Sequence, residues 1–423
     1  MSTTSGGSMQ QFFIRGLINV PDYLRNLDKQ AFTPLLISIG PIHRPNRKLQ
    51  TMKACKTQFS MCFIKRVKLD LADLEEKIKD REKEIRSCYD ATVVSDIGTD
   101  DFVTMIRVDG CFILEYFLRE SNPYLEVDRP TARIAEWMPP FLKFDLLLLE
   151  NQLPFFVLEM LYEEATSRDE WAELQLNPLP LKKLAFDFFD CFNFQKVAIL
   201  DFEIEHFTDL IRLFYLGEGE EGLKDGRIFG GAKLSYSAIQ LREAGVKFKK
   251  GVETDHRGFY EGNRCLLDIR FDLNSGVLEI PSIVLNAEKI RLIKNIIALE
   301  QTNYVGEAYV TDFFVFLDFL INTSKDVDLL CDKGILVNYL GKGATSAINN
   351  LNINIKWDYM NNGYSKICRD LNAFYKTPWH RWKAILRHQY FSTPWRAAST
   401  SAAIILLLLT AIQTVCSLRS TKW

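Results

Sequence analysis

The chain has 423 residues, 47% hydrophobic and 25% charged, the balance of a folded protein with room for two or three domains rather than of a disordered one. Its formal net charge of −2 argues against a chain that binds nucleic acid through overall electrostatics. The nine cysteines are scattered without CxxC pairs or regular spacing, which fits a reducing compartment better than a disulfide framework.

Residues 1–11, MSTTSGGSMQQ, are polar, small and uncharged, and are expected to be disordered. They lack the basic and apolar regions of a secretory signal, and no glycine follows Met1 to accept a myristoyl group. From Phe12 the chain turns apolar, and 12–375 is expected to form one mostly helical body. LLISIGP, ending at Pro41, reads as a short strand or extended segment closed by a Gly-Pro turn. Leu49 to Tyr89 reads as one long helix or a helical pair. Val67, Leu71, Leu74, Ile78, Ile85 and Cys88 form a heptad-like seam along it, which fits a packed hairpin within the chain better than an intermolecular coiled coil.

Asp101 to Arg119 is a strongly apolar helix, and DLLLLENQLPFFVLEMLYEEA from Asp145 is mostly helical, with Pro154 marking a break or a new helix start. Leu181 to Phe189 and His206 to Tyr215 are amphipathic helices. Leu216 to Lys233 is glycine-rich and acidic, and reads as a surface loop. GVKFKKG, LLDIRFDL and GVLEIP alternate apolar and polar residues, with a turn at Asn274-Ser275-Gly276. Ala287 to Val305, Val310 to Leu320 and Asp326 to Tyr339 read as further helices.

The C-terminal stretch carries the membrane signal. Thr377-Pro378 starts a basic, Trp-rich helix over 376–396. Trp379, Trp382, Lys383, Arg387, Trp395 and Arg396 suit a membrane interface, rings at headgroup depth and cations toward anionic lipid. From Ala397 to Leu418 no residue is charged, and 22 residues rise about 33 Å as a helix, enough for a hydrocarbon core of about 30 Å. A transmembrane helix over 397–418 is therefore expected, anchored by Ala397, Ile404, Leu406, Leu409 and Leu418, with a short tail at 419–423. Lys376, Arg381, Lys383, Arg387 and Arg396 precede the span, and only Arg419 and Lys422 follow it. That bias places the body in the cytoplasm, at a plasma membrane or endomembrane. Small residues from Ala397 to Ala403 would let such helices pair, a route to self-association. The expected fold class is thus mainly α with a small antiparallel β-sheet (α+β), a soluble helical body plus one C-terminal transmembrane helix.

Several blocks are specific to a family. They are VPDYLRNLDKQAFTPLLISIGPIHRP, VDGCFILEYF from Val108, DLLLLENQLPFFVLEMLY from Asp145, AIQLREAGVKFKK, LEIPSIVLNAEKIRLIKNIIALEQ, TDFFVFLDFLINTSKDVDLLCDKGILVNYLG and YFSTPWRAASTSAAIILLLLTAIQTV. Together, from about Ile14 onward, they resemble the plant family called domain of unknown function 247, or uncharacterised protein family 0481. The family tends to carry Tyr where Phe32 and Ile42 stand, and Glu then His around Lys53 and Cys55. The resemblance implies a helical body with a C-terminal anchor and supplies no reaction. Some relatives are linked to self/non-self recognition in pollination, which implies a recognition role.

No catalytic motif emerges from the residues. Gly217-Glu218-Gly219-Glu220-Glu221-Gly222 matches GxGxxG, but its three glutamates would repel a pyrophosphate, so it reads as a loop. Gly341 to Ser346 lacks the GxxxxGK[ST] order and reads as a helix–helix turn. Cys111 has no histidine nearby in sequence and opens an apolar run, so it reads as structural rather than nucleophilic. His43 follows a Gly-Pro turn; with five histidines, two of them in the 376–396 segment, no metal set is visible. Glu150-Asn151-Gln152 and Glu300-Gln301 are polar groups inside apolar segments, fit for buried capping or, if they met across a cleft, for acid–base work. Asp326 and Asp328 suit a helix start. Asn322-Thr323-Ser324 is a glycosylation sequon that a cytoplasmic body would leave unused.

The expected function is a single-pass membrane protein acting as a protein-interaction or recognition module, with a bilayer and an unknown protein as partners and no cofactor, metal or nucleic acid. The alternative is a membrane-bound hydrolase or transferase, which would require Glu150, Asn151, His43 and Glu300 to converge on one pocket.

Overall fold

A computed structural model describes residues 19–122, 125, 134–168, 171, 179–198, 203–217, 226–251, 266–351, 359–377, 399, 402–403 and 405–414. The centre of the fold is the helix Thr99–Ser121, apolar on nearly all sides and buried from Phe102 to Leu118 apart from Thr104 and a half-buried Val108. Its buried charges are each answered from a neighbour. Lys56 meets Asp109 at 2.5 Å, Arg66 and Arg119 both meet Glu115 at 2.7 Å, and Glu75 meets Arg107 at 3.0 Å.

Around it the longer elements run in chain order as α1 Lys53–Arg66, α2 Leu71–Asp80, α3 Glu82–Ser87, α4 Thr99–Ser121, α5 Pro139–Asp145, α6 Phe155–Thr166, α7 Leu181–Phe188 and α8 Phe207–Leu216. The second half comprises β1 Arg227–Phe229, α9 Ala238–Glu243, β2 Lys247–Lys250, β3 Arg270–Asp272, β4 Val277–Ile280, β5 Ile283–Leu285, α10 Ala287–Thr302, α11 Tyr309–Leu320, α12 Ser324–Asp332, β6 Leu336–Asn338, α13 Ala344–Asn349, β7 Tyr359–Asn361 and α14 Asn362–Lys376. The aromatic core joins the parts: Phe117 stacks on Phe188 at 4.3 Å and lies 5.4 Å from Phe207.

The stretch expected as one or two helices is instead broken into short pieces. α1 ends in a Schellman-type turn in which Leu69 N–H donates to Ile64 O at 3.0 Å, with Lys68 at φ +47° in the left-handed position. Asp70 then caps α2 through Ala72 N–H at 2.7 Å. The seam still serves as the buried face: Val67, Leu74, Ile78, Ile85 and Cys88 are buried, Leu71 is exposed, and α1 and α2 both pack on α4 within the chain.

Three further differences from the sequence reading have local causes. The run after Asp145 leaves the helix at once, and 146–154 is a buried turn whose Asn151 and Gln152 side chains bond the carbonyls of Asp145 and Leu148 at 2.9 and 3.0 Å. The β-structure is not one antiparallel sheet. It is a β1–β7 antiparallel ribbon, a β2–β4–β3 sheet in which only β3–β4 is antiparallel, and a parallel β5–β6 pair. The segment expected as helix to Tyr339 stops at Asp332, because Gly334 at φ +68° turns the chain into β6.

The largest correction concerns the C-terminus. Among the described residues no helix is long and apolar enough to cross a membrane. In that region the described residues 399, 402–403 and 405–414 are helical. The expected transmembrane helix over 397–418, and with it the single-pass, tail-anchored description, is not supported. Leu406 and Leu409 lie in that run and are exposed. Ala397, Ile404 and Leu418 lie outside the described residues, as do the interfacial Trp379, Trp382, Lys383, Arg387, Trp395 and Arg396.

Candidate functional site

The N-terminal strap, residues 19–46, supplies most of the lining of a cleft, completed by Val93 and Glu150. It contains two helical turns, Asp22–Arg25 and Lys29–Phe32, the second capped by Asp28 through Ala31 N–H at 3.2 Å. From Thr33 to Gly40 it has no strand or helix partner, so its backbone must be satisfied by side chains. Asp145 accepts from the N–H groups of Leu35, Leu36 and Ile37 at 2.8, 2.6 and 3.0 Å. Asn151 takes Ile39 N–H at 2.7 Å and donates to Ile37 O at 3.1 Å. Asp109 takes Gly40 N–H at 2.9 Å, while Lys56 bridges Asp109 and Ser38 O at 2.5 Å each. From α10, Asn295 donates to Ala31 O at 3.0 Å, Arg291 bonds Thr33 O, and Lys294 meets Asp28 at 2.6 Å. Gly40 then turns the chain at φ +69°, delivering Ile42 and His43.

The cleft this creates is open, of about 500 Å³, with Phe32, Ile42 and Val93 as apolar walls and Arg25, Lys29, His43 and Glu150 as polar groups. Glu150 is buried and committed to the strap: it accepts Val20 N–H at 3.1 Å and pairs with Arg25, which also meets Asp22 at 2.6 Å. His43 is different. Its Nε2 is buried and has no hydrogen-bond partner. Burial pushes the imidazole down to about 4; the Phe32 backbone hydrogen bond works the other way, and the positive charges of Arg25, Arg291 and Lys29 lower it further. The ring is therefore neutral at pH 7.

Of the four groups that an acid–base site would have brought together, only His43 and Glu150 share this cleft. Asn151 is spent on the strap. Glu300 is fully buried, taking Arg212 Nε at 3.1 Å and the N–H and hydroxyl of Thr311 at 2.7 Å each. Gln152 bonds the Phe207 N–H at 3.1 Å at the start of α8, and Asp326 caps α12 and takes Ile239 N–H at 2.8 Å. Cys111 is buried in α4 and its thiol is pushed up to about 12 by burial. His206 caps α8 through Asp209 N–H at 3.2 Å, and burial pushes it down to about 4. Gly341–Gly343 is a 3-10 turn leading into α13, and Glu218 to Gly222 lie outside the described residues.

Arg25, Lys29 and Phe32 were not singled out from sequence. They sit on two separate turns, and only the strap's long-range hydrogen bonds bring them to His43. A polar histidine directly after a Gly-Pro turn was the one signal available.

A family described as plant protein of unknown function, DUF247, matches the chain over residues 17–409. The chain belongs to the DUF247 family. One relative, a UPF0481 protein of Arabidopsis thaliana, is 26% identical over 96% of this chain and 86% of its own length. A second Arabidopsis thaliana protein, named a putative UPF0481 protein, is 24% identical over 94% of this chain and 89% of its own length. No solved structure matches the chain. The DUF247 match covers both the strap and the elements that hold it.

Proposed function

We propose that this DUF247 protein is a protein-interaction module that recognises a partner through the cleft formed by its N-terminal strap. The observation that carries the reading is the contrast among its buried polar groups. Asp109, Asp145, Glu150, Asn151 and Glu300 are consumed by the fold, whereas the cleft lined by Phe32, Ile42, Val93, Lys29 and His43 is left open. A wall already fixed by long-range hydrogen bonds suits binding, because little ordering is required when a partner arrives. An enzyme draws less support, since Asn151 and Glu300 act elsewhere and Glu150 beside His43 is held by Arg25 and the Val20 N–H.

The test is site-specific photo-crosslinking in plant cells with the full chain. A photoreactive residue at Lys29, on the cleft, is compared with one at Lys249, two-thirds exposed on β2. A discrete protein adduct at Lys29 that Lys249 does not give supports the reading. No adduct at Lys29, or the same adducts at both positions, refutes it.

A further inference from the structure

We infer that Lys289, on the first turn of α10, is an N-acylation site that accepts an acyl group from a thioester. The inference stands apart from the interaction reading above, and neither test bears on the other.

Lys289 is half-buried, and its ammonium lies 4.0 Å from the centre of the Phe194 ring. Among the described residues no carboxylate pairs with it. Four other cations seated on rings are held differently: Arg86 also meets Glu82, Arg119 meets Glu115, Lys143 meets Glu120 and Arg212 meets Glu300. Of the charged residues close by in sequence, Glu288 and Lys196 are exposed and Arg291 bonds the strap. The first turn of a helix is also the end where the macrodipole repels a cation. Burial and the dipole therefore favour the neutral amine, against the weaker pull of the ring. Burial accordingly pushes Lys289 down to about 8. The neutral amine is the nucleophilic form. Nζ keeps access to solvent, since it is not among the enclosed side-chain atoms that lack a partner.

In the transfer the Nζ lone pair attacks the thioester carbonyl carbon. The C–N bond forms, the C–S bond breaks, and the sulfur leaves with the electron pair and takes up the proton that nitrogen sheds. The product is a neutral amide. At Lys294 or Lys56 the same change would break an ion pair to Asp28 or Asp109. At Lys289 it removes a charge that has no counter-ion among the described residues. Both the attacking form and the product thus suit this seat better than that of a paired lysine. Roughly a quarter of Lys289 is neutral at pH 7.5, against about one part in a thousand of an ordinary lysine. Nucleophilicity falls with basicity, as it does for thiols, which leaves a net advantage of roughly tenfold.

The experiment incubates the full chain with acetyl-coenzyme A as the probe thioester, with no transferase present, and reads site occupancy by mass spectrometry. At pH 7.5 Lys289 is expected to acetylate roughly tenfold faster than Lys249, which is two-thirds exposed and paired with Glu279. Its rate should level off above about pH 8 while that of Lys249 still climbs. Phe194→Glu, which supplies the missing carboxylate, should remove most of the advantage, with circular dichroism as the check on folding. Equal rates at the two lysines, parallel pH profiles, or an undiminished advantage in folded Phe194→Glu would each overturn the inference. The first two comparisons use the wild-type chain, so they decide it even if the variant does not fold.

Discussion

Replacing Asp145 with alanine tests whether the strap is held by side chains. The carboxylate is fully buried and accepts three consecutive backbone N–H groups. Their environments differ: Leu35 is 58% exposed, Leu36 half-buried and Ile37 buried. Water can replace the carboxylate at Leu35 but not at Ile37. A stranded buried donor costs about 1–3 kcal/mol, so Ile37 and part of Leu36 set the loss at roughly 2–5 kcal/mol. Relief of a buried charge offsets some of it, since burial raises the Asp145 carboxyl above its usual range. A net cost of about 2–4 kcal/mol falls first on the strap, because it is a locally separable unit. Hydrogen exchange read by mass spectrometry should then speed up roughly 30- to 700-fold over 35–40, with α4 little changed. Asp145→Asn, which keeps one acceptor oxygen, should fall between. Unchanged protection over 35–40 in Asp145→Ala would refute the assignment of Asp145 as the strap's anchor.

The remaining predictions concern the supports around it. Glu300→Ala leaves Arg212 buried without its carboxylate and should cost about 3–5 kcal/mol in urea unfolding, whereas Glu300→Leu with Arg212→Met should recover much of that; equal losses would contradict a paired role. Asp312 is raised to about 6 by burial, against the pull of Arg227 and the Asn361 N–H. A raised folded value means that this contribution is fully present below about pH 4 and is lost as pH rises through 6. Asp312→Asn should therefore remove a downward slope of stability with pH between about 4 and 6, and a variant with the wild-type slope would contradict it. At Gly40, φ is +69° and an added Cβ would lie 2.7 Å from Gln152 O, so Gly40→Ala should lower the melting temperature. Gly98→Ala, with open space around it, should not, and similar shifts for the two would remove the argument.

What the sequence made legible were elements whose signal is local. The α4 and α10 helices carry uninterrupted apolar faces, and the β3–β4 hairpin has its turn residues at Asn274 to Gly276. Each formed close to where the pattern placed it. Pairings between distant segments left no such trace. Lys247 pairs in parallel with Val277 and Ile283 with Leu336, and no turn residue can announce a parallel register. The apolar period around Leu146 to Leu149 resembled a helix because burial on all sides looks the same in a turn and in a buried helix. The uncharged C-terminal run was a compositional signal, and only part of it lies among the described residues. The site was legible only in His43. Its companions Arg25, Lys29 and Phe32 depend on contacts from Glu150 and α10, far along the chain.

The strap's long-range anchoring also has a consequence for synthesis. Arg291 reaches Ala31 O across 260 residues, and Lys294 reaches Asp28 across 266. At about 5–20 residues per second, a ribosome needs roughly 15–50 s to deliver these partners after the strap has been made. Throughout that interval the nascent strap offers the carbonyls of Ala31 and Thr33 and the apolar side chains of Leu24 and Phe32 to whatever is nearby. A chaperone holding the emerging segment, or an early protease cut within it, would therefore act on a protein whose later helices have yet to be translated.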